Sequence, residues 1–279
     1  MSDIRSILLH LDNATTAAAR FDVARALAQS HGASIEALYA VTPWQMRYPF
    51  AFSSEAPMAA QMAELEQEQR DKQRRSFEAL RQAAGAGPGP EWRETQDDPV
   101  RAFVQYAWAA DLLLLGQAAP DDETASGVAA DFVPSVLIEC GKPGLVLPFI
   151  HKGPLEADTV LLAWKPSPQA ARAASAALPW LKRARKIHVA AWPEAADDHS
   201  DPAATIGSWL QHHGLTAVMH RDAPAGRDVA EWLLSLATDV SADLLVMGCY
   251  GHGRAREWLL GGATRTVLQS MTLPVLMAH

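Results

Sequence analysis

The sequence predicts an α/β protein made of two tandem doubly wound domains, each a parallel sheet with helices on both faces. Short continuous apolar runs, typical of strands buried on both faces, alternate with segments of helical periodicity. Such alternation favours parallel pairing through right-handed crossovers. The run DLLLLG at 111–116 recurs as DLLVMG at 243–248. The length of 279 residues suits two domains of about 150 residues each.

An internal repeat extends over both halves of the chain. Besides the run above, the repeated segments are 7–12 with 160–165 and 142–147 with 273–277. The first of these pairs is offset by 153 residues, whereas DLLLLG recurs after 132. The first copy therefore holds about 21 extra residues between its first and fourth strands, by the difference of the two offsets.

The elements of the first copy follow from the hydrophobic pattern. Strand 4–11 is centred on the apolar run 7–9, and the next helix, 15–31, ends before Gly32, because glycine commonly terminates helices. The later predicted elements are strand 34–41, a long helix within 57–84, strand 91–95, helix 99–109, strand 111–116, helix 131–140 and strand 144–148.

The extra chain of the first copy is an insertion at about residues 43–85. It opens with a Pro-bearing aromatic loop that contains Trp44, Tyr48, Phe50 and Phe52. A charged helix follows, in which Met58, Met62 and Leu65 are spaced to share one face. We interpret this face as packing against the sheet of its own domain, and a lid or partner surface is the alternative.

The second copy repeats the pattern after a linker at 149–158, which contains Gly153 and Pro154. We therefore place the domains at 1–150 and 157–279. The predicted elements are strand 159–164, helix 168–184, strand 186–191, helix 202–213, strand 215–220, helix 227–240, strand 243–248, helix 262–270 and strand 274–278.

Composition excludes several classes of partner. The formal net charge of −8 gives no bulk attraction to nucleic acid or to an anionic membrane surface. No apolar stretch approaches the roughly 20 residues of a membrane span, and residues 1–12 do not form a secretory signal. Cys140 and Cys249 are too few for a disulfide framework. We expect a cytoplasmic protein with neither nucleic acid nor membrane as partner.

The segment after strand 243–248 is the strongest candidate for chemistry. Ligands of open parallel sheets bind beyond the carboxyl ends of the strands, and here glycines precede a helix, in the sequence GCYGHGRAREWLLGGAT. Glycine lets a backbone approach a ligand closely, and unpaired N–H groups at a helix start attract phosphate oxygens. Thr264 could add a hydroxyl group. Glycines that only shape a tight turn are the alternative.

The order of these motifs resembles the universal stress protein family. Gly248-x2-Gly251-x9-Gly261 ends a fourth strand and precedes a helix and a terminal strand with Pro274, and the resemblance extends over the whole chain. It implies a tandem, pseudo-dimeric stress-response protein with two adenine-nucleotide alpha-hydrolase-like, Rossmann-like domains. These domains would pair within the chain, and a further homodimer is left open.

The resemblance also implies an ATP or ADP site, with Mg²⁺ accompanying the nucleotide. In family members that bind nucleotide, the glycine loop holds the phosphates and ribose, and an Asp at the end of the first strand lies by the nucleoside. Carried onto this chain, the nucleotide-binding positions are Gly248, Tyr250, Gly251, Gly261, Gly262, Ala263 and Thr264.

Both copies depart from that pattern. In the second copy Gly262 stands where a residue with a hydroxyl group is usual. Lys165 stands at the position of the Asp, and its ammonium group cannot accept hydrogen bonds but could contact a phosphate. The first copy keeps Asp12 but has Ala119 for the second glycine and carboxylates at 121–123. Like charges about 4 Å apart repel by roughly 4 kcal/mol at an effective dielectric near 20, so we expect a degenerate first site.

No catalytic residues are predicted, because the chain contains neither a P-loop nor a nucleophile elbow. The histidines at 212, 213 and 220 lack the spacing of a metal pair on one helix face, so no metal site is predicted either. The first hypothesis is a non-catalytic or feebly hydrolytic stress-response protein that binds ATP or ADP in its second domain. The alternatives are a nucleotide-free scaffold for dimerisation or partner binding and an adenylyl-transferring enzyme.

Overall fold

The computed structural model describes residues 4–47, 56–83, 89–118, 127–192, 201–221, 228–250 and 262–279. Its strands are β1 (Ser6–Leu11), β2 (Ser34–Tyr39), β3 (Glu91–Glu94), β4 (Leu112–Gly116), β5 (Gly144–Leu147), β6 (Thr159–Trp164), β7 (Lys186–Ala191), β8 (Val218–His220), β9 (Leu244–Gly248) and β10 (Val275–Ala278). Its helices are α1 (Ala17–His31), α2 (Trp44–Arg47), α3 (Ala56–Ala83), α4 (Pro99–Ala107), α5 (Phe132–Cys140), α6 (Pro168–Leu181), α7 (Pro202–His212), α8 (Val229–Asp239) and α9 (Ala263–Ser270).

These strands form one ten-stranded sheet in the order β3-β2-β1-β4-β5-β10-β9-β6-β7-β8. Neighbouring strands are parallel within each half, and β5 and β10 pair antiparallel at the centre. The predicted α/β class with a parallel-dominated sheet in each half is confirmed. The hydrophobic pattern did not predict that the two half-sheets join into one sheet, because β5 and β10 are buried apolar runs like the strands beside them.

The pairing of β5 with β10, called the central seam here, is symmetric. Leu145 lies opposite Leu276, and these two residues occupy equivalent positions in the repeat. The pairs on either side, Val146 with Val275 and Gly144 with Met277, exchange places under the same equivalence. The central seam therefore relates the halves by an approximate two-fold axis perpendicular to the sheet.

Helices cover both faces of the sheet, as a doubly wound fold requires. On one face, called the α1 face, α1, α6 and α7 contribute to one core cluster. On the opposite face, called the α4 face, α4, α5, α8 and α9 contribute to the other. The inner strands are buried on both faces, because their apolar side chains point alternately into the two clusters.

Local sequence sets where the helices begin and end. Four helices start after a side chain that accepts a hydrogen bond from a first-turn N–H: Asp98 before α4, Ser167 before α6, Asp201 before α7 and Asp228 before α8. Gly32 ends α1 at φ +64° and Gly141 ends α5 at φ +65°, in the left-handed region that glycine adopts without steric cost.

The long helix of the insertion packs through residues other than the expected ones. We expected Met58, Met62 and Leu65 to face the sheet, but Met58 and Leu65 are each 47% exposed. The buried contact lies further along α3, where Phe77 is 3% exposed and meets the rings of Phe21 and Trp92. The prediction that α3 packs against the chain's own domain is correct for this part of the helix, whereas it is wrong for Met58 and Leu65; Met62 is partly buried.

Most predicted boundaries lie within three residues of those observed. The predicted strand 215–220 is shorter in the structure, where β8 covers Val218–His220 at the outer edge of the sheet. The helix α2 was not predicted, because four residues are too few to show helical periodicity. Among the described residues, no helix is both long and apolar enough to cross a membrane.

Candidate functional site

The candidate site lies at the carboxyl ends of β6 and β9, the inner parallel pair of the second half. Of the predicted residues, Gly248, Tyr250, Gly262, Ala263 and Thr264 are described. Gly251 and Gly261 lie outside the described residues. The structure therefore shows both ends of the glycine loop and not its middle.

Gly248 is needed because α6 begins directly against it. A Cβ added to Gly248 would lie 2.6 Å from the backbone nitrogen of Ala170 and 2.7 Å from the carbonyl carbon of Gln169. Ser167 starts the helix at this point, because its hydroxyl oxygen accepts a hydrogen bond from the Ala170 N–H at 3.2 Å. We predicted that Gly248 makes room for a ligand, and the structure shows that it makes room for the first turn of α6.

Thr264 joins the two ends of the glycine loop. Its hydroxyl oxygen accepts a hydrogen bond from the Tyr250 N–H at 3.3 Å, and the residue is only 4% exposed. Tyr250 has a φ of +54°, unusual for a residue with a side chain, so the chain turns sharply after β9. The Thr264 hydroxyl therefore supports the loop, and its proton remains available for a second hydrogen bond.

The helix α9 begins at this junction without a side-chain cap. Gly262 occupies the N-cap position and supplies no side chain to its first-turn N–H groups, and Ala263 is the first helical residue. The first N–H groups of a helix have no partner within it and carry partial positive charge. This end of α9 can therefore accept an anion.

Two buried polar atoms near the end of β6 are unsatisfied. Within the described part of the chain, neither the indole N–H of Trp164 nor the Oε1 atom of Gln169 has a hydrogen-bond partner. Trp164 is 8% exposed and directly precedes the partly buried Lys165. Buried polar groups normally have partners, so this donor and acceptor require partners from outside the described residues.

An aromatic pair borders the site on the α4 face. Trp192, the residue after β7, meets Trp232 of α8 with ring centroids 5.7 Å apart and planes at 87°. Both rings and Tyr250 are partly buried against the same core cluster. We did not predict this pair from the sequence, although a Trp directly after a predicted strand is a signal for it.

In the first half, an internal cation occupies the equivalent edge. Arg20 of α1 is 2% exposed, and its Nη2 donates to Asp12 Oδ1 at 2.5 Å. The same guanidinium donates to Thr16 Oγ1 at 3.0 Å and to the His10 carbonyl at 3.3 Å. A Cβ on Gly116, the counterpart of Gly248, would lie 2.3 Å from Arg20 Nη1. The Asp12 carboxylate, the counterpart of the family's Asp, is thus held within the protein by Arg20 and by the Ala14 N–H at 3.0 Å.

Two further titratable groups belong to this network. Burial lowers the pKa of His10 to about 4, against the opposing influence of the Asp12 carboxylate. The neutral ring lies 2.9 Å from the Ala40 carbonyl, which fits an N–H on Nε2. Burial likewise raises the pKa of Tyr39 to about 12, and its hydroxyl donates to Asn13 Oδ1 at 2.9 Å.

Gln117, the residue after β4, connects the two halves instead of forming a phosphate loop. Its side-chain amide donates to the carbonyls of Leu268 and Gln269 at 2.9 and 3.1 Å, at the end of α9. Its Oε1 accepts from the Phe149 N–H at 3.1 Å. The acidic residues 121–123 lie outside the described residues, so the proposed charge repulsion at this loop stays a prediction.

The remaining histidine and cysteine candidates belong to no metal cluster among the described residues. His220 lies next to His188 on the neighbouring strand, with His220 Nε2 2.9 Å from His188 Nδ1. Spacing along a helix could not predict this contact between strands. No group of three or more His, Cys, Asp or Glu suited to a metal occurs in the described part of the chain. Cys249 is 1% exposed, as expected for a small packed residue.

Comparisons with known proteins agree on the family. The sequence profile of the Universal stress protein family matches twice, over residues 3–136 and 156–279. A universal stress protein from Archaeoglobus fulgidus DSM 4304 superposes with a TM-score of 0.71 at 17% identity, covering 98% of this chain and 95% of that one. A functionally unknown protein from Pseudomonas aeruginosa PAO1 gives 0.57 at 14% identity, with 99% and 92% covered.

Comparison with curated proteins gives no match. The two solved structures share the fold with this chain, and at these identities they establish nothing finer. Because the family profile accounts for most of the residues in two consecutive matches, the resemblance stated from the motifs is confirmed: the chain belongs to the Universal stress protein family and contains two of its domains in tandem.

Proposed function

We propose that this stress protein binds an adenine nucleotide, ATP or ADP, in its second half and does not catalyse a reaction. Occupancy would be signalled through the contact between the halves or through a dimer interface. The observation that carries the proposal is a pair of buried atoms without a hydrogen-bond partner among the described residues: Trp164 Nε1 at the end of β6 and Gln169 Oε1 at the start of α6. In the first half, by contrast, the Arg20 side chain fills the equivalent edge of the sheet and donates hydrogen bonds to Asp12, Thr16 and the His10 carbonyl.

Several described residues suit a nucleotide. The uncapped start of α9 offers N–H groups to a phosphate, with Thr264 beside them. Lys165 adds a cation that can contact a phosphate, although it cannot accept a hydrogen bond from a ribose hydroxyl. An accompanying Mg²⁺ would be held mainly by the phosphates, because the described residues contain no cluster of ligands suited to a metal. The Trp192–Trp232 pair offers an aromatic surface for the base.

Titration of the purified protein with ATP and ADP tests the proposal. At a nucleotide concentration of about 100 times the dissociation constant, the free energy of unfolding should rise by roughly 2.7 kcal/mol. Thr264→Val should weaken binding, because it removes the hydroxyl beside the start of α9. Thr238→Val, at an exposed position on α8, is the matched control and should bind as the unaltered chain does. Absence of binding and of any thermal shift would refute the proposal.

The second candidate is a nucleotide-free scaffold that acts through partner binding or dimerisation. It is favoured by Lys165, which stands at the position of the family carboxylate, and by Gly262, which lacks the usual hydroxyl. Under this function the unaltered chain binds no nucleotide, and the double variant Lys165→Asp with Gly262→Ser gains ATP binding. Mass spectrometry of the purified protein for a co-purifying nucleotide distinguishes the two candidates.

A further inference from the structure

A cavity of about 470 Å³ opens beside the central seam on the α1 face, where the two halves meet. Its volume lies in the range of small-molecule sites. The first half contributes an apolar wall that includes Ile4 and Leu112, and the second half contributes Trp180. All three side chains are at most 5% exposed, so this wall belongs to the packed core.

Two cations line the same cavity. Lys142 precedes β5, and Arg172 lies on α6, so the cations come from opposite halves of the molecule. Neither forms an ion pair with a described residue, although, against the opposing effect of burial and after the hydrogen bonds from Arg5 and Ser6, Lys142 contributes to the lowered pKa of the nearby Asp111 carboxyl group. The one carboxylate side chain of the lining, Asp111, is already engaged, because its Oδ2 accepts from the Arg5 N–H at 2.9 Å and from both the N–H and the hydroxyl of Ser6, at 3.0 and 3.1 Å.

The two cations are present at this cavity and absent from the position related to it by the approximate two-fold axis. The two-fold relation at the central seam generates a corresponding position on the other side of the axis. There the repeat places Leu273 at the position of Lys142 and Ala19 at the position of Arg172. It also places Asp22 at the position of Ser175, which lines the cavity. Only one of the two related positions therefore combines apolar walls with positive charge.

We propose that this seam cavity binds a small amphipathic carboxylate, at a site separate from the candidate nucleotide site. The carboxylate group would be held between Lys142 and Arg172, whose planar guanidinium matches the two oxygens of a carboxylate. The hydrocarbon part would lie against Ile4, Leu112 and Trp180. Because its walls come from both halves, such a ligand bridges the halves beside the central seam.

Calorimetric titration of the full chain with straight-chain carboxylates from butanoate to octanoate tests this proposal. Hexanoate should bind with one-to-one stoichiometry and more tightly than butanoate, because each methylene that is buried lowers the Kd by up to about fourfold. Hexylamine and hexan-1-ol keep the apolar body without the anion, and inorganic phosphate supplies an anion without the body. All three should bind at least about tenfold more weakly than hexanoate.

Charge variants assign the site. Lys142→Gln and Arg172→Gln should each raise the Kd of hexanoate at least about tenfold, because a hydrogen bond between charged groups is lost. Lys182→Gln removes an exposed cation just past the end of α6 that does not line the cavity, so it should leave the Kd unchanged. Far-UV circular dichroism verifies that each variant is folded.

Four results would overturn the proposal: no binding by any carboxylate, hexan-1-ol binding as tightly as hexanoate, phosphate binding as tightly as hexanoate, or unchanged binding in both charge variants. ATP titration of Lys142→Gln is an independent measurement. Lys142 lies before β5 in the first half, so this variant should bind ATP as the unaltered chain does, and failure of the carboxylate site and failure of the nucleotide site are distinguishable.

Discussion

The residues that distinguish the two halves most sharply are Asp12 and Arg20. In the first half the guanidinium of Arg20 forms a buried ion pair with Asp12, the residue after β1. The repeat places Lys165 and Ala173 at these positions in the second half. The acid and the base are thus both exchanged, so the buried ion pair exists only in the first half.

Removing one member of this pair should be much more damaging than removing both. Arg20→Met leaves the Asp12 carboxylate buried without its partner, and we expect a loss of about 3–5 kcal/mol in the free energy of unfolding. Adding Asp12→Asn should recover a substantial part of that loss. Urea unfolding of the two single variants and the double variant measures the coupling, and additive losses would contradict the buried ion pair.

His10 makes stability depend on pH in a defined window. Its pKa is about 4 in the folded protein and 6.5 when unfolded, so between these values the unfolded chain binds a proton that the folded protein does not. The stabilising contribution is therefore present above pH 6.5 and is lost as the pH falls toward 4.

We expect this residue alone to lower the free energy of unfolding by about 2 kcal/mol between pH 7 and pH 5. His10→Gln keeps a donor for the Ala40 carbonyl but does not titrate, so it should remove that part of the pH dependence. Urea titrations of both proteins at the two pH values test this, and equal slopes would show that His10 is not responsible.

At the scale of elements, α3 is docked by one part of its length. Phe77 is buried against Phe21 of α1 and Trp92 of β3, whereas Leu65 is 47% exposed. Phe77→Ala should lower the free energy of unfolding by about 3–5 kcal/mol, since it leaves a cavity between three elements. Leu65→Ala should change it by less than about 0.5 kcal/mol. Similar losses from both variants would contradict this description of the docking.

The close approach of α6 to β9 makes Gly248 sensitive to substitution. In Gly248→Ala the new Cβ meets backbone atoms of Gln169 and Ala170, which cannot rotate away as a side chain can. We expect a loss of about 1–3 kcal/mol, measured by thermal unfolding. The matched control is Gly207→Ala on α7, where the nearest contact is the flexible end of Met219 at 3.1 Å.

The element order was predictable because each inner strand contains a short apolar run and each capped helix carries its own start signal. The glycine loop was also visible as a motif. The partners of those residues were not predictable: Arg20 reaches Asp12 from the second turn of a helix, and α6 reaches Gly248 across 78 positions of the chain. Such contacts depend on how elements pack, which periodicity does not encode.

For the whole molecule, the central seam should make the two halves unfold together. β10 is hydrogen-bonded to β5 on one side and to β9 on the other, so loss of the first half exposes an edge of the second. Far-UV circular dichroism and tryptophan fluorescence should report one coincident transition. Phe77→Ala, in the first half, should shift both signals equally, and two separate transitions would show that the halves are independent.

The central seam also has a consequence for synthesis on the ribosome. β5 is complete at residue 147, but its partner β10 begins only at residue 275, after nearly the whole second half has been translated. At ordinary translation rates the nascent first half therefore waits on the order of ten seconds with an apolar strand edge unpaired. Such an edge is a template for pairing with other chains, so the protein's exposure to aggregation is greatest before its last strand emerges.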